Sequence, residues 1–256
     1  RHAQRSEWKR HIEHDIFTRR DDLKADDLKK QGKNVFTLRF VNTDKAAGKP
    51  RADNSDDDND PEGAIEAKSR MVTPGFKDLD NLMGTLKKDA PTLPLEALMF
   101  LLQIAASYGW DVWSRDVEAA FLSGMYFTRE VYCLAPKGGL PAIPELGWEA
   151  VPEGTVLQLK KSMPGLADAP LEWHKKHKGS IESAGAGESK VAKSLYLSRR
   201  QVNGSWVLEG LIGSHVDDDI FTGSDWFKKN VDGELEKKLN DGKYQSRKLI
   251  QTGFRI

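Results

Sequence analysis

Trp206-Val207-Leu208-Glu209-Gly210-Leu211-Ile212-Gly213-Ser214-His215-Val216 runs straight into three consecutive carboxylates, Asp217-Asp218-Asp219, and returns through Ile220-Phe221-Thr222-Gly223. β-Branched and aromatic residues on both sides of the acids make this a strand, a tight turn and a second strand, with the acids at the bend. Like charges held side by side are costly unless a cation neutralises them, so a divalent metal ion is a natural partner for the bend. A solvated acidic turn is the other reading, because Asp is a common turn residue. The segment alone leaves the two open.

Outward from the hairpin, Val191 to Arg199 reads as a further strand and Asp225 to Leu239 as a charged amphipathic helix. The clearest helix is Pro94 to Ala106: proline opens its first turn, Leu95, Leu98, Met99 and Leu102 share a face, and Gly109 stops it. Phe100, Leu101 and Ile104 make the opposite side apolar as well, so the helix is expected to be buried all round. Trp110 to Asp116 then alternates as a strand, and Glu118 to Leu122 is a short helical piece closed by Gly124, which puts Asp116 where a strand hands over to a helix. Pro164 to Pro170 is a turn opening a helix that runs through Trp173 to about Ser183.

Toward the N-terminus, Ser6 to Lys30 suggests one or two short exposed helices, and Val35 to Val41 and Ala64 to Val72 read as a strand and its return. Residues 42–61 between them turn to Gly, Pro, Asn and Asp, which predicts a flexible acidic loop. Strands joined by hairpins among irregularly spaced helices favour an α+β fold with an antiparallel sheet over a doubly wound parallel one.

Composition narrows the class. In 256 residues, 38% hydrophobic content with seven Trp and ten Phe supports a folded core. The single cysteine, Cys133, rules out an internal disulfide framework and a cysteine-based zinc site, and makes a reducing compartment the simpler expectation. No stretch approaches the roughly 18 apolar residues of a membrane span. Arg1 to Trp8 lacks a secretory apolar region, and a chain opening on Arg1 and stopping at Ile256 reads as part of a longer one. The 39 basic and 39 acidic residues cancel, but six of the acids lie between Asp53 and Glu62, leaving a basic remainder with clusters at Lys160-Lys161, Lys175 to Lys178, Lys228-Lys229 and Lys237-Lys238. Such clusters are solvated helix faces or phosphate-tracking surfaces.

Asp116 and the Asp217-Asp218 pair are 101 residues apart, each at the edge of a strand. A sheet that joined those edges would assemble three carboxylates suited to a two-metal site for in-line phosphoryl transfer.

At this point the sequence resembles a family. Asp116-Val117-Glu118-Ala119-Ala120-Phe121-Leu122-Ser123-Gly124, preceded by Tyr108-Gly109-Trp110, is similar to the D-V-x-x-A-F-L-x-G segment of copia-type retrotransposon reverse transcriptases. Lys68 to Phe76 resembles their K-x-R-L-V-x-x-G-F, and Glu130-Val131-Tyr132 with Pro136 their E-V-Y-M-x-x-P. Leu159 to Trp173 resembles L-K-K-S-L-Y-G-L-K-Q-A-P-R-x-W, and His215 to Asp218 with Thr222-Gly223-Ser224 resembles Y-V-D-D-I-L-x-T-G-S. The blocks keep the family's order over roughly residues 64 to 240.

The resemblance implies an RNA-directed DNA polymerase of a Pol polyprotein, with right-hand fingers and palm, an antiparallel palm sheet, and a thumb absent or truncated. It implies an N-terminal helical extension over 1–33, fingers over 34–95 and 125–164, and palm over 96–124 and 165–256. Asp116, Asp217 and Asp218 become the catalytic carboxylates holding two Mg2+ or Mn2+ ions, with the Val117 carbonyl as a further ligand. Lys68 and Arg70 would contact the incoming triphosphate. Phe121 would crowd the sugar 2′ position, core packing being its other reading. Gly165 would let bases approach the helix it opens. Implied partners are an RNA or DNA template with primer, deoxynucleoside triphosphates, and RNase H and integrase parts of the polyprotein; no membrane is involved. The implied location is intracellular, in a cytoplasmic particle or the nucleus.

The chain departs from the family pattern in places. His215 stands for Tyr and Asp219 for an apolar residue, and Pro164, Ala167, Asp168 and Leu171 stand for Tyr, Lys, Gln and Arg. Thr252 to Ile256 only faintly resembles the primer-grip strand. These departures keep a second reading in view, a polymerase-fold module that no longer catalyses. Calcium binding at Asp58-x-Asp60-x-Glu62-Gly63-x-Ile65 is disfavoured by Pro61 and by Ser69 at the twelfth position. Zinc at His174 and His177 is disfavoured for want of a third ligand.

Overall fold

The computed structural model describes residues 2–44, 67–117 and 119–239, and the backbone of 244–250. In chain order its strands are β1 (Phe17–Arg19), β2 (Asn34–Thr37), β3 (Arg39–Asp44), β4 (Ala67–Val72), β5 (Val112–Val117), β6 (Val131–Leu134), β7 (Val156–Leu159), β8 (Gly187–Glu188), β9 (Leu195–Val202), β10 (Ser205–His215), β11 (Asp218–Gly223) and β12 (Tyr244–Ile250). Its α-helices are α1 (His2–Glu13), α2 (Ala25–Lys30), α3 (Leu79–Leu82), α4 (Leu95–Tyr108), α5 (Ala169–Ser183), α6 (Asp225–Phe227) and α7 (Gly233–Lys238). The α+β class with antiparallel sheets agrees with the sequence. The chain divides into two compact units, Arg1–Leu86 with Tyr126–Ala167, and Lys87–Met125 with Asp168–Ile256.

The first unit holds a four-stranded sheet in the order β1-β7-β6-β2, antiparallel except for the parallel β2–β6 pair. The single strand expected over 35–41 is two, because Leu38 leaves the ladder between them, buried, with its N–H bonded to the Leu134 carbonyl at 3.0 Å. β3 and β4 pair antiparallel, Arg39 opposite Val72 through Asp44 opposite Ala67. Most of the acidic loop expected over 42–61 and of the rejected calcium motif lies outside the described residues, and Ser69 sits on a strand where a calcium hand requires a helix. The helices expected over 6–30 form but are not an exposed layer. Trp8 is fully buried, donates from its indole nitrogen to the Pro141 carbonyl at 3.1 Å, and meets Trp148 edge-on at 5.3 Å. Between α1 and α2, β1 joins the sheet. The charges around Trp8 and Ile16 hid two anchor positions whose side chains are both fully buried.

The second unit is built on a six-stranded antiparallel sheet, β12-β5-β11-β10-β9-β8. Successive residues of a strand point to opposite faces, and both faces here are covered. On one face Ile212 and Phe221 join Trp113, Trp173, Tyr196, Phe227 and Leu235 in a core roofed by α5 and the C-terminal helical segment. On the other, Leu211 and Leu195 pack with Ala97 and Leu101 of α4. Double coverage explains the unbroken apolar run at Gly210 to Gly213, which alternation on one face alone would have interrupted with polar residues. Each fully buried Ile or Phe here adds about 1.5–3 kcal/mol.

α4 ends at Gly109 as expected but is not buried all round: Leu95, Met99 and Phe100 are 68%, 58% and 50% exposed, and its buried line is Ala97, Leu101 and Ala105. The small residues face the sheet because they let the helix axis lie close to it. The helix expected over 225–239 forms from Asp225 to Lys238, with a π-helical turn at Lys228–Asp232 between α6 and α7. Among the described residues no helix is long and apolar enough to cross a membrane.

Candidate active site

The site begins at the β10–β11 hairpin. Its turn is made by Val216 and Asp217, with Val216 at φ +62°, a left-handed conformation that costs a β-branched residue backbone strain. The strain is held by α5: the Trp173 indole N–H donates to the Val216 carbonyl at 2.6 Å. β11 runs antiparallel to β5 with Asp218 directly opposite Asp116, and the Val117 N–H donates to the Asp217 carbonyl at 3.0 Å. Register therefore brings Asp116, Val117, Asp217 and Asp218 to one corner of the sheet, where the Asp116 and Asp218 side chains share a face.

The electrostatics follow from that placement. Desolvation of the Asp218 carboxyl raises its pKa above the usual carboxylate range, and the charges of Asp217, Asp116 and Asp219 push the same way. Hard carboxylate oxygens under mutual repulsion suit Mg2+ or Mn2+ in donor type and in charge. Among the described residues, however, no group of three or more His, Cys, Asp or Glu side chains is gathered closely enough to hold a metal ion. Backbone register supplies the neighbours without converging their side chains.

Asp219 leaves this group. Alternation turns it to the opposite face from Asp218, where it is 2% exposed and its Oδ1 accepts from His177 Nε2 of α5 at 3.0 Å, with Oδ2 2.9 Å from the same nitrogen but without a hydrogen bond of its own. The His177 ring stacks on Trp173 at 4.8 Å. Sequence reasoning treated Asp219 and His177 as separate oddities. The signal joining them was available in strand parity, which sends every second residue of β11 toward a helix.

Phe121 lies in a 3-10 turn at Ala120–Leu122 just beyond β5 and is partly buried against the Trp113 and Trp173 core. His215 is exposed at the end of β10, opposite Asp218. Sequence reasoning also missed a buried pair behind β5. Arg115 donates to Asp232 at 2.6 Å, and the Trp113 indole donates to the same carboxylate at 3.2 Å. Asp232 is delivered by the π-helical stretch, whose wider turn has no signature in the spacing of its apolar residues.

Lys68, Arg70 and Gly165 belong to the first unit. Lys68 and Arg70 share one face of β4, opposite Thr43 and Val41, while Ser69 and Met71 point into the core. Gly165 has φ +99° and lies against Thr73: a Cβ there would press on the Thr73 carbonyl oxygen, and one on Gly75 would press on the Gly165 carbonyl, both inside 3.0 Å. The two segments are stitched by Thr73 N–H to the Pro164 carbonyl at 3.0 Å and Gly75 N–H to the Gly165 carbonyl at 3.1 Å. Glycine at 165 thus has a reason inside the fold, in addition to the nucleotide approach that the resemblance implies.

Comparison with known proteins agrees with the blocks read from the sequence. The model of the reverse transcriptase (RNA-dependent DNA polymerase) family matches residues 33–254. The retrovirus-related Pol polyprotein from transposon TNT 1-94 of Nicotiana tabacum is 28% identical over 183 residues, 69% of this chain and 12% of that protein. Those from transposons RE1 and RE2 of Arabidopsis thaliana are 26% and 27% identical over 158 residues, 62% of this chain and 10% of each. The chain thus spans about a tenth of the length of these curated relatives. With the family match covering most of its length, the chain belongs to the reverse transcriptase (RNA-dependent DNA polymerase) family.

Proposed function

We propose that this chain is the RNA-directed DNA polymerase portion of a copia-type retrotransposon Pol polyprotein, extending a primer 3′-hydroxyl with deoxynucleotides on an RNA or DNA template. The first unit serves as fingers and the second as palm. The observation that carries this reading is the register of β11 on β5, which sets Asp218 opposite Asp116 and puts Asp217 at the adjoining turn.

Asp116, Asp217 and Asp218, with the Val117 carbonyl, would hold two Mg2+ or Mn2+ ions. When bound, such ions lower the pKa of an attacking hydroxyl and steady the leaving phosphate oxygens. The chain's own residues do the positioning. The hairpin turn presents Asp217 and Asp218 together, and β5 brings Asp116 alongside. Phe121, supported from behind by the core, offers a ring edge to exclude a ribose 2′-hydroxyl. Lys68 and Arg70 supply cationic side chains for the triphosphate on the solvent face of β4. Gly165 would let bases approach the turn it occupies, as the family resemblance implies. The partners are the remaining parts of the polyprotein, RNase H and integrase among them, inside the cell in a particle or the nucleus.

A second reading, a catalytically decayed module that binds nucleic acid or assembles the polyprotein, is favoured by the replaced residues Pro164, Ala167, Asp168 and Leu171 in the glycine-turn block. Primer extension on an RNA template with Mg2+ or Mn2+ separates the two. Extension by the wild-type chain that is abolished by Asp217→Asn supports the polymerase; equal extension by both proteins removes the assigned role of Asp217.

A further inference from the structure

α5 grips the turn on both sides of the acids proposed to be catalytic. Ahead of them, the Trp173 indole N–H holds the Val216 carbonyl at 2.6 Å. Behind them, His177 Nε2 holds the Asp219 carboxylate at 2.9 and 3.0 Å. Trp173 and His177 are one helical turn apart on the same face of α5 and stack on each other at 4.8 Å, so the two grips form one rigid unit. Asp217 and Asp218 are the two residues between the gripped positions.

A carboxylate that is 98% removed from solvent needs a partner, and the His177 imidazole is the one the structure supplies. Without it Asp219 would be a buried, unpaired acid one residue from Asp218. It would have to take up a proton and stay without its hydrogen-bond partner, or move toward water and take the backbone of Asp218 with it. With it, the third acid becomes an anchor.

We propose that His177 and Asp219 act as a positioning pair which, with Trp173 and the Val216 carbonyl, clamps the Asp217–Asp218 turn onto α5. The proposal rests on the reading of Asp217 and Asp218 as catalytic. Neither His177 nor Asp219 touches substrate in this scheme; both act through the backbone of the turn.

The test compares the full chain with His177→Phe, Asp219→Ile, the double substitution and Asp219→Asn. Each protein is measured by hydrogen exchange at the turn amides of Val216 to Asp219 and by steady-state primer extension. The single apolar substitutions strand one polar partner, so turn exchange speeds up by about tenfold and kcat falls by about tenfold or more with an unchanged deoxynucleotide KM. The double substitution removes both partners, and Asp219→Asn keeps an acceptor for His177, so both return toward wild type. Wild-type exchange at the turn in the single variants overturns the clamp. So does a double variant no better than the worse single one, because the residues then do not act through each other. A kcat that stays at wild type while the variants only lose thermal stability reduces the pair to structural packing. Exchange needs no catalysis, so full activity of Asp217→Asn would overturn the catalytic reading while the exchange data still decide whether the clamp exists.

Discussion

Asp116 and Asp218 stand directly opposite each other in the antiparallel ladder of β5 and β11, two acids 102 positions apart in sequence on one face of one sheet. Directly opposed like charges weaken a sheet. Replacing Asp218 by Asn should therefore raise the melting temperature in the presence of a chelator while cutting primer extension by more than about 100-fold, beyond the outer-shell range. Calorimetry and extension assays on one preparation check both halves. A variant that loses stability and activity together would mean that Asp218 serves the fold.

Phe121 is partly buried on the Trp113–Trp173 core, and its two readings make separable predictions. Phe121→Ala should destabilise by about 1–3 kcal/mol whatever its role. If the ring also guards the sugar, ribonucleotide incorporation rises by about tenfold or more relative to deoxynucleotide. Unchanged sugar selection with reduced stability would return Phe121 to the core alone.

At Gly165 and Gly75 the backbones approach too closely for a side chain. Gly165→Ala meets both the Thr73 carbonyl and a φ of +99°, and should cost about 3 kcal/mol or more, seen as a lower midpoint in urea. Gly75→Ala should be comparably damaging. By contrast Gly179→Ala, on α5 with nothing near its Cβ, should be neutral or stabilising.

His11 makes stability fall in acid. It is fully buried, donates from Nδ1 to the Glu7 carbonyl at 2.9 Å, and burial pushes its pKa down to about 4 from the ordinary 6.5. Burial also pushes Glu7, whose carboxylate lies 3.9 Å from the His11 ring, above its ordinary pKa. The unfolded chain takes up a proton at His11 below pH 6.5 that the folded one refuses until about pH 4, so stability declines as pH falls through that window. The loss is about 3 kcal/mol by pH 4. His11→Gln should flatten this part of the stability–pH curve; an unchanged slope would assign the acid sensitivity to other groups.

Much of the second unit was legible because its signals are local. The proline and glycine that bound α4, the apolar runs of β10 and β11 and the acids between them all carry short-range rules. The apposition of Asp116 and Asp218 was suggested by their places at strand edges, but sequence alone could not supply the register. What escaped the sequence depends on partners far along the chain. Trp8 is buried by Pro141 and Trp148, more than 130 residues away, and no periodicity around it could show that. α4 was expected to be wrapped in apolar partners because its composition is apolar on all sides; packing instead selected the single line of Ala97, Leu101 and Ala105. The π-helical stretch that delivers Asp232 to Arg115 likewise follows from that buried pair rather than from spacing.

The opposite facing of Asp218 and Asp219 constrains how the segment can change over generations. A substitution at either position alters one side chain, but one residue added to or lost from the turn exchanges the faces of everything after it. A residue lost would bring Asp219 opposite Asp116, and a residue gained would press Asp218 into the core against His177. A one-residue insertion or deletion in this turn should accordingly disturb the fold more than a point substitution at either acid.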